Sequence, residues 1–460
     1  MKTKPLSIAA AVLAALAMSA CGDKPAEPKA AAPAAAAQAA TTQAPAQEKP
    51  AAAAPQEKQA AVASTIEVDG NRATIKDGID AAGEAKLKAA SGITQLTLRK
   101  ISDADLAKAV ALLPDVTSIR IVSETLTDLS PLAKLGKLES LVLQTESASD
   151  FAPLAGLTGL TNLQVTAPVP SLAWMSKMTA LKSIIIDGKD KLTDLQGLPS
   201  LPDMKRVDLT HLAPTDLAPL VAALPGLTNL ELRYAKIADL APLCQLSGLE
   251  KLNLYGSQLA DFSPLAACSK LKQLMYYAVE GADFSTLGKL TQLEELDGGL
   301  TKLDSIAWLP NLTKLKKFDV FAEYVTDYSP LAKTNIEELK IWNMRAPVDL
   351  GPVGKMPALK KLTLDSLNNA SGSKALAALP KLEELSIYGG YNKKEGEQFD
   401  FSGNGWAALK KLRLGGVPLQ PAQIETMKKM PALEYLEVNK DSCAEDALTG
   451  FGPNVKVDYR

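Results

Sequence analysis

The stretch from Leu249 to Cys268 has the sequence LEKLNLYGSQLADFSPLAAC and contains the features that decide the fold. Its first part places leucines in the pattern L-x-x-L-x-L, where apolar and polar residues alternate as in a short β-strand with one buried face. Its second part, Asp261 to Leu265, has Asp and Ser that can cap a short helical turn, with proline near the start of that turn. The segment predicts one strand followed by one returning turn.

The same pattern recurs along most of the chain. It starts at Ile93, Val116, Leu138, Leu160, Leu181, Met204, Leu227, Leu249, Leu271, Leu293, Leu315, Ile336, Leu359, Leu382, Leu409 and Leu433. Successive starts are 21–24 residues apart, except for one interval of 27 before Leu409. One unit cannot bury its apolar face alone, so the units must stack on each other. We predict an α/β solenoid of about 16 repeats over residues 93–440, with one parallel β-sheet on the concave face and short helical or 3-10 turns on the convex face.

The period of about 22 residues and the motif Asp-Leu-Ser-Pro-Leu-Ala at 128–133, with a close variant at 327–332, resemble the internalin type of leucine-rich repeat. The resemblance covers residues 93–440. The chain departs from the family at the asparagine expected eight positions after the first leucine, where Glu124, Ala235, Ser257 and Met344 stand. The Ig-like module and the sorting signal of many internalins are also missing. The resemblance implies the repeat fold and does not identify a ligand.

The N-terminus predicts an export signal over residues 1–20. Lys2 and Lys4 precede an apolar run from Leu6 to Met18, and Ser19 and Ala20 are the small residues before a cleavage site. The run is about 13 residues long, which is too short for a helix that crosses a bilayer.

The cysteine that follows, Cys21, resembles the modified residue in the lipobox of bacterial lipoproteins, although Met18 stands where the family usually has leucine. The resemblance implies lipidation of Cys21. Because Gly22 follows it instead of aspartate, the resemblance also implies an outer-membrane location, on the periplasmic or the cell-surface face. The alternative is an ordinary signal peptide that is cut near Ala20.

Three further segments complete the organisation. Residues 21–64 are rich in alanine and proline and poor in large apolar side chains, so we expect a disordered tether after the lipidated cysteine. Residues 65–92 predict an N-terminal cap made of a hairpin around Asp69-Gly70-Asn71 and a helix over 79–90. Residues 441–460 are expected to form a C-terminal cap.

Composition argues against several classes of function. The net charge of −2 with mixed signs gives no attraction to nucleic acid, and we expect contact with a membrane only through the lipid anchor. His211 is the single histidine, so neither a histidine-based triad nor a histidine-rich metal site can form. Carboxylate pairs such as Asp297 and Asp319 are common in repeat ladders, and an open sheet offers no desolvated cleft. We expect a monomer that is not an enzyme and has no cofactor.

Charged residues directly after the first leucine alternate in sign from one repeat to the next. They are Glu250, Lys272, Glu294, Lys316, Glu337, Lys360, Glu383, Lys410 and Glu434, and the following column partly repeats the alternation. Neighbouring strands lie about 4.8 Å apart, so each lysine would stand between two acids. We favour an ion-pair ladder over a polar ligand surface.

Aromatic residues cluster in another column, six positions after the first leucine. Of seven consecutive repeats, five have a ring there, and Gly299 and Asp365 occupy the other two. The rings are Tyr255, Tyr277, Phe321, Trp342 and Tyr388, and Tyr234, Met275 and Tyr324 lie close by. We expect the five rings to be substantially exposed and contiguous, because exposed contiguous aromatics mark binding sites. The alternative is that they reflect strand propensity and ring stacking.

The function predicted from these residues is a lipid-anchored envelope protein that presents its concave face to a protein partner. Two alternatives remain open. Stacked rings beside acids and amides also suit sugars, which would make the chain a glycan or peptidoglycan binder. A chain whose main surface is the ladder would instead be a structural spacer without a discrete ligand.

Two local features leave alternatives. Cys244 and Cys268 lie in adjacent returning segments but are out of register by two residues, so we favour a buried thiol at Cys268 over a disulfide. The long interval after Tyr388 contains Phe399, Phe401 and Trp406. It can form a functional loop or pack these rings on the outer face of the solenoid.

Overall fold

The structure, a computed structural model, describes residues 65–460 except 214–215, 280, 300–302, 322–323, 345–347, 368–369, 389–398 and 403–404. The predicted signal peptide, Cys21 and the tether therefore lie outside the described residues. None of the helices in the described part of the chain combines the length and apolar character of a membrane-spanning segment.

The body is one sheet of 19 strands, and a separate pair of two-residue strands lies outside it. The sheet strands are β1 Thr65–Asp69, β2 Arg72–Lys76, β3 Gln95–Arg99, β4 Ser118–Val122, β5 Ser140–Gln144, β6 Asn162–Thr166, β7 Ser183–Leu192, β8 Arg206–Leu212, β9 Asn229–Arg233, β10 Lys251–Asn253, β11 Gln273–Met275, β12 Glu295–Gly298, β13 Lys317–Phe321, β14 Glu338–Met344, β16 Lys361–Leu367, β18 Glu384–Tyr388, β19 Lys411–Gly415, β20 Tyr435–Val438 and β21 Lys456–Tyr459. The short pair is β15 Val348–Asp349 and β17 Ala370–Ser371.

Strand pairing follows chain order. From β2 to β21 each strand of the sheet is parallel to the next, and only β1 and β2 pair antiparallel, as a hairpin. Sixteen of these strands, from β3 to β20, fall within residues 93–440. The predicted parallel sheet of about sixteen repeats is confirmed.

The segments that return the chain are short helices. The α-helices are α1 Ala81–Ala89, α2 Asp103–Leu112, α3 Ala218–Ala223 and α4 Pro421–Lys428. The 3-10 helices are Ser130–Lys134, Ala152–Gly156, Ala173–Met175, Ala241–Gln245, Ser263–Ala267, Phe284–Lys289, Leu309–Asn311, Ser329–Lys333, Val353–Lys355, Ser373–Ala378 and Glu445–Leu448. In the quoted repeat, Asp261 accepts a hydrogen bond from the backbone N–H of Ser263 at 2.6 Å, and Pro264 lies in the first turn. The predicted cap and proline therefore start this turn.

The repeat leucines form one continuous core. Leu252 and Leu254 of the quoted repeat are at most 1% exposed, and their counterparts in neighbouring repeats are buried in the same way. The residues four, six and seven positions after each first leucine lie on the opposite side of the strands. We call this side the open face, and it is the concave face of a leucine-rich-repeat solenoid.

The alternating charges form the predicted ion-pair ladder along the sheet. Seven lysine–glutamate pairs join neighbouring repeats within 4 Å, and most of their side chains are about half exposed. The pairs are Lys272–Glu250 at 3.4 Å, Lys316–Glu337 at 3.1 Å, Lys360–Glu337 at 2.6 Å, Lys410–Glu383 at 3.1 Å, Lys317–Glu295 at 3.2 Å, Lys361–Glu338 at 3.6 Å and Lys411–Glu384 at 2.8 Å. Exposed pairs of this kind contribute about 0–1 kcal/mol each, so the ladder mainly sets register.

The two cysteines of the adjacent returning segments are bonded. The Cα atoms of Cys244 and Cys268 are 4.4 Å apart, and their sulfurs form a disulfide. The expectation of a free, buried thiol at Cys268 is therefore wrong. An offset of two residues displaces a 3-10 helix by only about 4 Å along its axis, against about 6.6 Å in a strand, so it does not separate the two side chains.

The rings of the long interval pack inward. Phe399, Phe401 and Trp406 are at most 2% exposed, and the indole N–H of Trp406 donates to the carbonyl oxygen of Phe401. These three rings belong to the core, so the packing alternative holds for them.

Candidate binding surface

Several strands end in a left-handed backbone turn seven positions after the first leucine of the repeat. His211 and Tyr234 both have a φ of 53°, and Gly256 has a φ of 68° at the same offset. Residues other than glycine adopt this region infrequently. The turn brings the side chains of His211 and Tyr234 onto the open face.

Five rings on the open face form an unbroken chain of contacts. His211 stacks on Tyr234 with ring centroids 4.7 Å apart and an angle of 3° between the planes. Tyr234 meets Tyr255 edge-on at 5.2 Å, and Tyr255 lies 6.1 Å from Tyr277. Tyr277 meets Trp342 edge-on at 6.4 Å. We call His211, Tyr234, Tyr255, Tyr277 and Trp342 the ring ribbon, which runs from β8 to β14.

Exposure differs along the ring ribbon. Tyr234 is 40% exposed, and His211, Tyr255 and Trp342 are partly buried. Tyr277 is only 8% exposed, so the expectation of substantial exposure is wrong for this ring. Tyr277 is covered because its ring crosses the face of the sheet instead of standing out from it.

A glycine allows Tyr234 to lie flat on the next repeat. A Cβ atom at Gly256 would stand 2.4 Å from Cδ1 of Tyr234, so any side chain there would displace the ring. A Cβ atom at Gly415 would stand 2.9 Å from Cδ1 of Tyr388, so Gly415 makes room for this ring in the same way. The surface therefore depends on small residues beside large ones.

The remaining predicted residues do not all join the ribbon. Tyr388 and Met275 are partly buried on the same face, and Tyr324 is 49% exposed. Among the described ring contacts, neither Tyr388 nor Tyr324 meets a ribbon ring. Phe321 pairs through its backbone with Trp342 at the end of β13, and its side chain lies outside the described residues.

Two acids lie beneath the end of the ring ribbon. Asp297 and Asp319 are register partners on β12 and β13. Burial and the charges of these two carboxyl groups raise the pKa of the Tyr277 hydroxyl, which places this hydroxyl beside them. The indole N–H of Trp342 donates to Oδ1 of Asp319, and the ammonium of Lys340 lies 3.9 Å from Oδ2. We call Asp297 and Asp319 the acid pair.

The acid pair holds a proton unusually well. Burial, reinforced by the charge of Asp297, raises the pKa of Asp319 to about 7. Burial also raises the pKa of Asp297. Burial is the first cause of both shifts, so it favours the neutral form of each carboxyl group.

The sequence placed Asp297 and Asp319 side by side but gave them no role. The signal that was missed lies at Gly299, which occupies the ring column between Tyr277 and Trp342 and has no side chain to stand in the way. This leaves room for Tyr277 to extend toward the acids. His211 was also missed, although it has the same repeat offset as Tyr234.

The described residues contain no group of three or more His, Cys, Asp or Glu side chains that could hold a metal ion. The surface therefore offers rings, carboxylates and hydrogen-bond donors for recognition. Its geometry is that of a contact surface several strands long.

Comparison with known proteins gives likeness at the level of structure. No family model matches the sequence, and comparison with curated proteins gives no match. An internalin from Listeria monocytogenes is 24% identical with a TM-score of 0.49, and the match covers 66% of this chain and 92% of the internalin. A leucine-rich-repeat protein from Leptospira interrogans is 18% identical with a TM-score of 0.49, covering 83% of this chain and 92% of that protein.

The Drosophila receptor Toll, solved in complex with Spätzle, has a TM-score of 0.51 at 13% identity. The match covers 82% of this chain and 51% of that one. This likeness agrees with the parallel sheet, the buried leucine columns and the regular spacing of the repeats. The chain therefore folds as a leucine-rich-repeat solenoid, and internalins are among the solved structures that it resembles.

Proposed function

We propose that this chain is a non-catalytic protein-binding module and that the ring ribbon is its contact surface. The observation that carries the proposal is the continuous run of five rings, joined by four ring contacts, across seven strands of the open face, with Tyr234 as its exposed member. Tyrosine and tryptophan supply large contact area with few rotatable bonds, which is why they dominate protein interfaces. Toll, which has the same fold, is seen with a protein ligand, but folds alone do not assign partners.

We further propose that the module is displayed at the cell envelope through lipid on Cys21, at the outer membrane. Disulfides persist in exported proteins and are rare in the cytosol, so the Cys244–Cys268 bond supports an exported location. Cys21→Ser should move the protein from the membrane to the soluble fraction of cells in which the signal is still cleaved. Retention of this variant in the membrane would refute the anchor.

Site-specific crosslinking in intact cells tests the contact surface. A photoreactive phenylalanine at Tyr234 should give a discrete protein adduct, whereas the same residue at exposed Gln144, in the part of the open face without rings, should give none. Tyr234→Ala should weaken binding of the crosslinked partner by about 2 kcal/mol, as loss of an interface anchor does. Equal adducts at the two positions would refute the ring ribbon as the binding surface.

A glycan ligand is the alternative that the stacked pair of His211 and Tyr234 favours, because flat exposed rings also pack on sugars. Cosedimentation with purified sacculi separates the two. Binding to sacculi that Tyr234→Ala abolishes, without a protein adduct, would replace the protein partner by a glycan. Absence of both would leave a structural spacer.

A further inference from the structure

A recess of about 250 Å³ opens on the open face beside the acid pair, between β12 and β16. It is lined by charged side chains and by the acid pair itself. The polar lining residues are Glu295, Asp297, Lys317, Asp319, Glu338, Lys340, Lys361 and Thr363.

Three of the four acids that line the recess have a lysine within 4 Å, and among the described side chains the fourth does not. Each of the three lysines has an acidic neighbour, and these pairs are Lys317–Glu295 at 3.2 Å, Lys361–Glu338 at 3.6 Å and Lys340–Asp319 at 3.9 Å. Within the described ranges, Asp297 has no cation at ion-pair distance. Its Oδ1 is buried and has no hydrogen-bond partner. A buried carboxyl oxygen without a partner is costly, so a cation that reached the Asp297 carboxyl group would be stabilised there.

The chain itself shows where a cation fits. The ammonium of Lys340 lies 3.3 Å from the centroid of the Trp342 ring, which is also held by Asp319. A tryptophan face attracts a cation, and more strongly when the site is partly desolvated. Lys340 remains 31% exposed on a flexible four-carbon stem, so it can turn to solvent.

The wider open face has matching charge. At offsets four and six, strands β7 to β13 present five acids and one base, whereas β3 to β6 present two arginines and no acid. The acids are Asp187, Asp208, Glu231, Asp297 and Asp319, and the base is Arg233. A partner segment that lies along this part of the sheet is complementary if it is basic.

We propose that the recess receives a single lysine side chain of the protein partner, whose ammonium replaces that of Lys340 over the Trp342 ring and pairs with Asp297. The inference rests on the proposed function, because it assigns the chemistry of the partner at the same surface. The chain's own lysine therefore occupies the position until the partner arrives.

The test uses n-butylammonium as a probe for the lysine side chain and n-butanol as its neutral match. The full-length protein is labelled with 5-fluorotryptophan, which gives four ¹⁹F signals for its four tryptophans. Trp342→Phe assigns the signal of Trp342. The other three tryptophans are at most 8% exposed and report whether each variant is folded. Titrations are run at pH 8, above the pKa of about 7 of Asp319.

We expect a saturable shift of the Trp342 signal with n-butylammonium and none with n-butanol. Asp297→Asn should weaken the apparent affinity about tenfold, because a charge-assisted contact is lost. Its matched control is Glu437→Gln, a carboxylate at the same repeat offset on β20 and outside this surface, which should bind as the native chain does. Lys340→Met should tighten binding several-fold by removing the internal competitor. Lys361 lines the same recess but does not lie over the Trp342 ring, so Lys361→Met should not tighten binding.

Three results would overturn the proposal: equal shifts with both probes, unchanged affinity in Asp297→Asn, or no gain in Lys340→Met relative to Lys361→Met. The titration needs no natural partner, so it can fail independently of the crosslinking at Tyr234. A failed titration with a discrete adduct at Tyr234 refutes the lysine position alone. A successful titration without an adduct refutes the protein-binding surface.

Discussion

Strands β3 to β6 and strands β8 to β14 have the same backbone plan but different open faces. Both regions bury their repeat leucines completely and pair in parallel. The first presents residues such as Gln144 and Thr166, whereas the second presents the ring ribbon and the acid pair. The positions that build the core and those that face outward are thus separate in each repeat. A solenoid can therefore acquire a binding surface in one region without altering its fold.

The largest expected effect is a difference in stability between two alanine variants, one at Tyr277 in the second region and one at Thr166 in the first. Tyr277→Ala should lower the free energy of unfolding by about 3 kcal/mol, because it empties a buried site and uncovers the acid pair. Thr166→Ala, at the same offset in the plain region, should stay within about 0.5 kcal/mol. Urea denaturation of the two variants measures both values. Similar losses would mean that the two regions do not differ in this way.

A smaller effect is expected where a glycine makes room for a core ring. A Cβ at Gly298 would stand 1.9 Å from Cζ of the fully buried Tyr276, so Gly298→Ala should cost about 2 kcal/mol. Gly136 in the plain region has open space around it, and Gly136→Ala should change stability by no more than about 0.5 kcal/mol.

Thermal denaturation of the double variant Gly298→Ala/Tyr276→Leu checks the cause of the loss at Gly298. Leucine is the usual residue at this offset, so the second change should recover most of the stability. Absence of recovery would show that the ring of Tyr276 is not what opposes the new methyl group.

The smallest effect concerns the acid pair and depends on pH. The pKa of Asp319 is raised to about 7 in the folded chain, against about 3.9 unfolded. Folding therefore takes up a proton between these values, and this contribution to stability is lost as the pH rises through 7. Asp319→Asn should match the native chain near pH 5 and exceed it by about 1 kcal/mol at pH 8, after allowance for partial exposure. A native chain whose stability increases relative to that of Asp319→Asn as the pH rises would contradict this prediction.

The spacing of L-x-x-L-x-L predicted the strands, their parallel order and their inward face, because each property follows from a single repeated period. The burial of Tyr277 did not follow, since it depends on Gly299 in the next repeat and on Trp342 three strands away. The raised pKa of Asp319 comes from its burial and from the charge of Asp297 on the neighbouring strand. A contact that crosses several repeats depends on residues at more than one position of the repeat. The pattern at a single repeat position therefore does not predict it.

The disulfide shows a different limit. The two-residue offset between Cys244 and Cys268 was taken to disfavour a disulfide, but the residues lie at the ends of 3-10 helices, where the rise per residue is small. His211 was considered for catalysis alone, and its stacking on Tyr234 followed from a left-handed turn that the sequence marks only with Gly256 and Gly416 at the same offset.

The Cys244–Cys268 bond also sets how the solenoid responds to mechanical force. It encloses a sequence separation of 24 residues, including β10 and Tyr255. A chain pulled from its two ends would lengthen as its repeats unfold one by one. The residues inside the disulfide loop would not extend, which shortens the unfolded chain by about 80 Å at about 3.4 Å per residue. Force spectroscopy should reveal that length only after reduction of the bond. While the disulfide is intact, tension on the chain ends therefore cannot extend the segment that contains Tyr255, the middle residue of the ring ribbon.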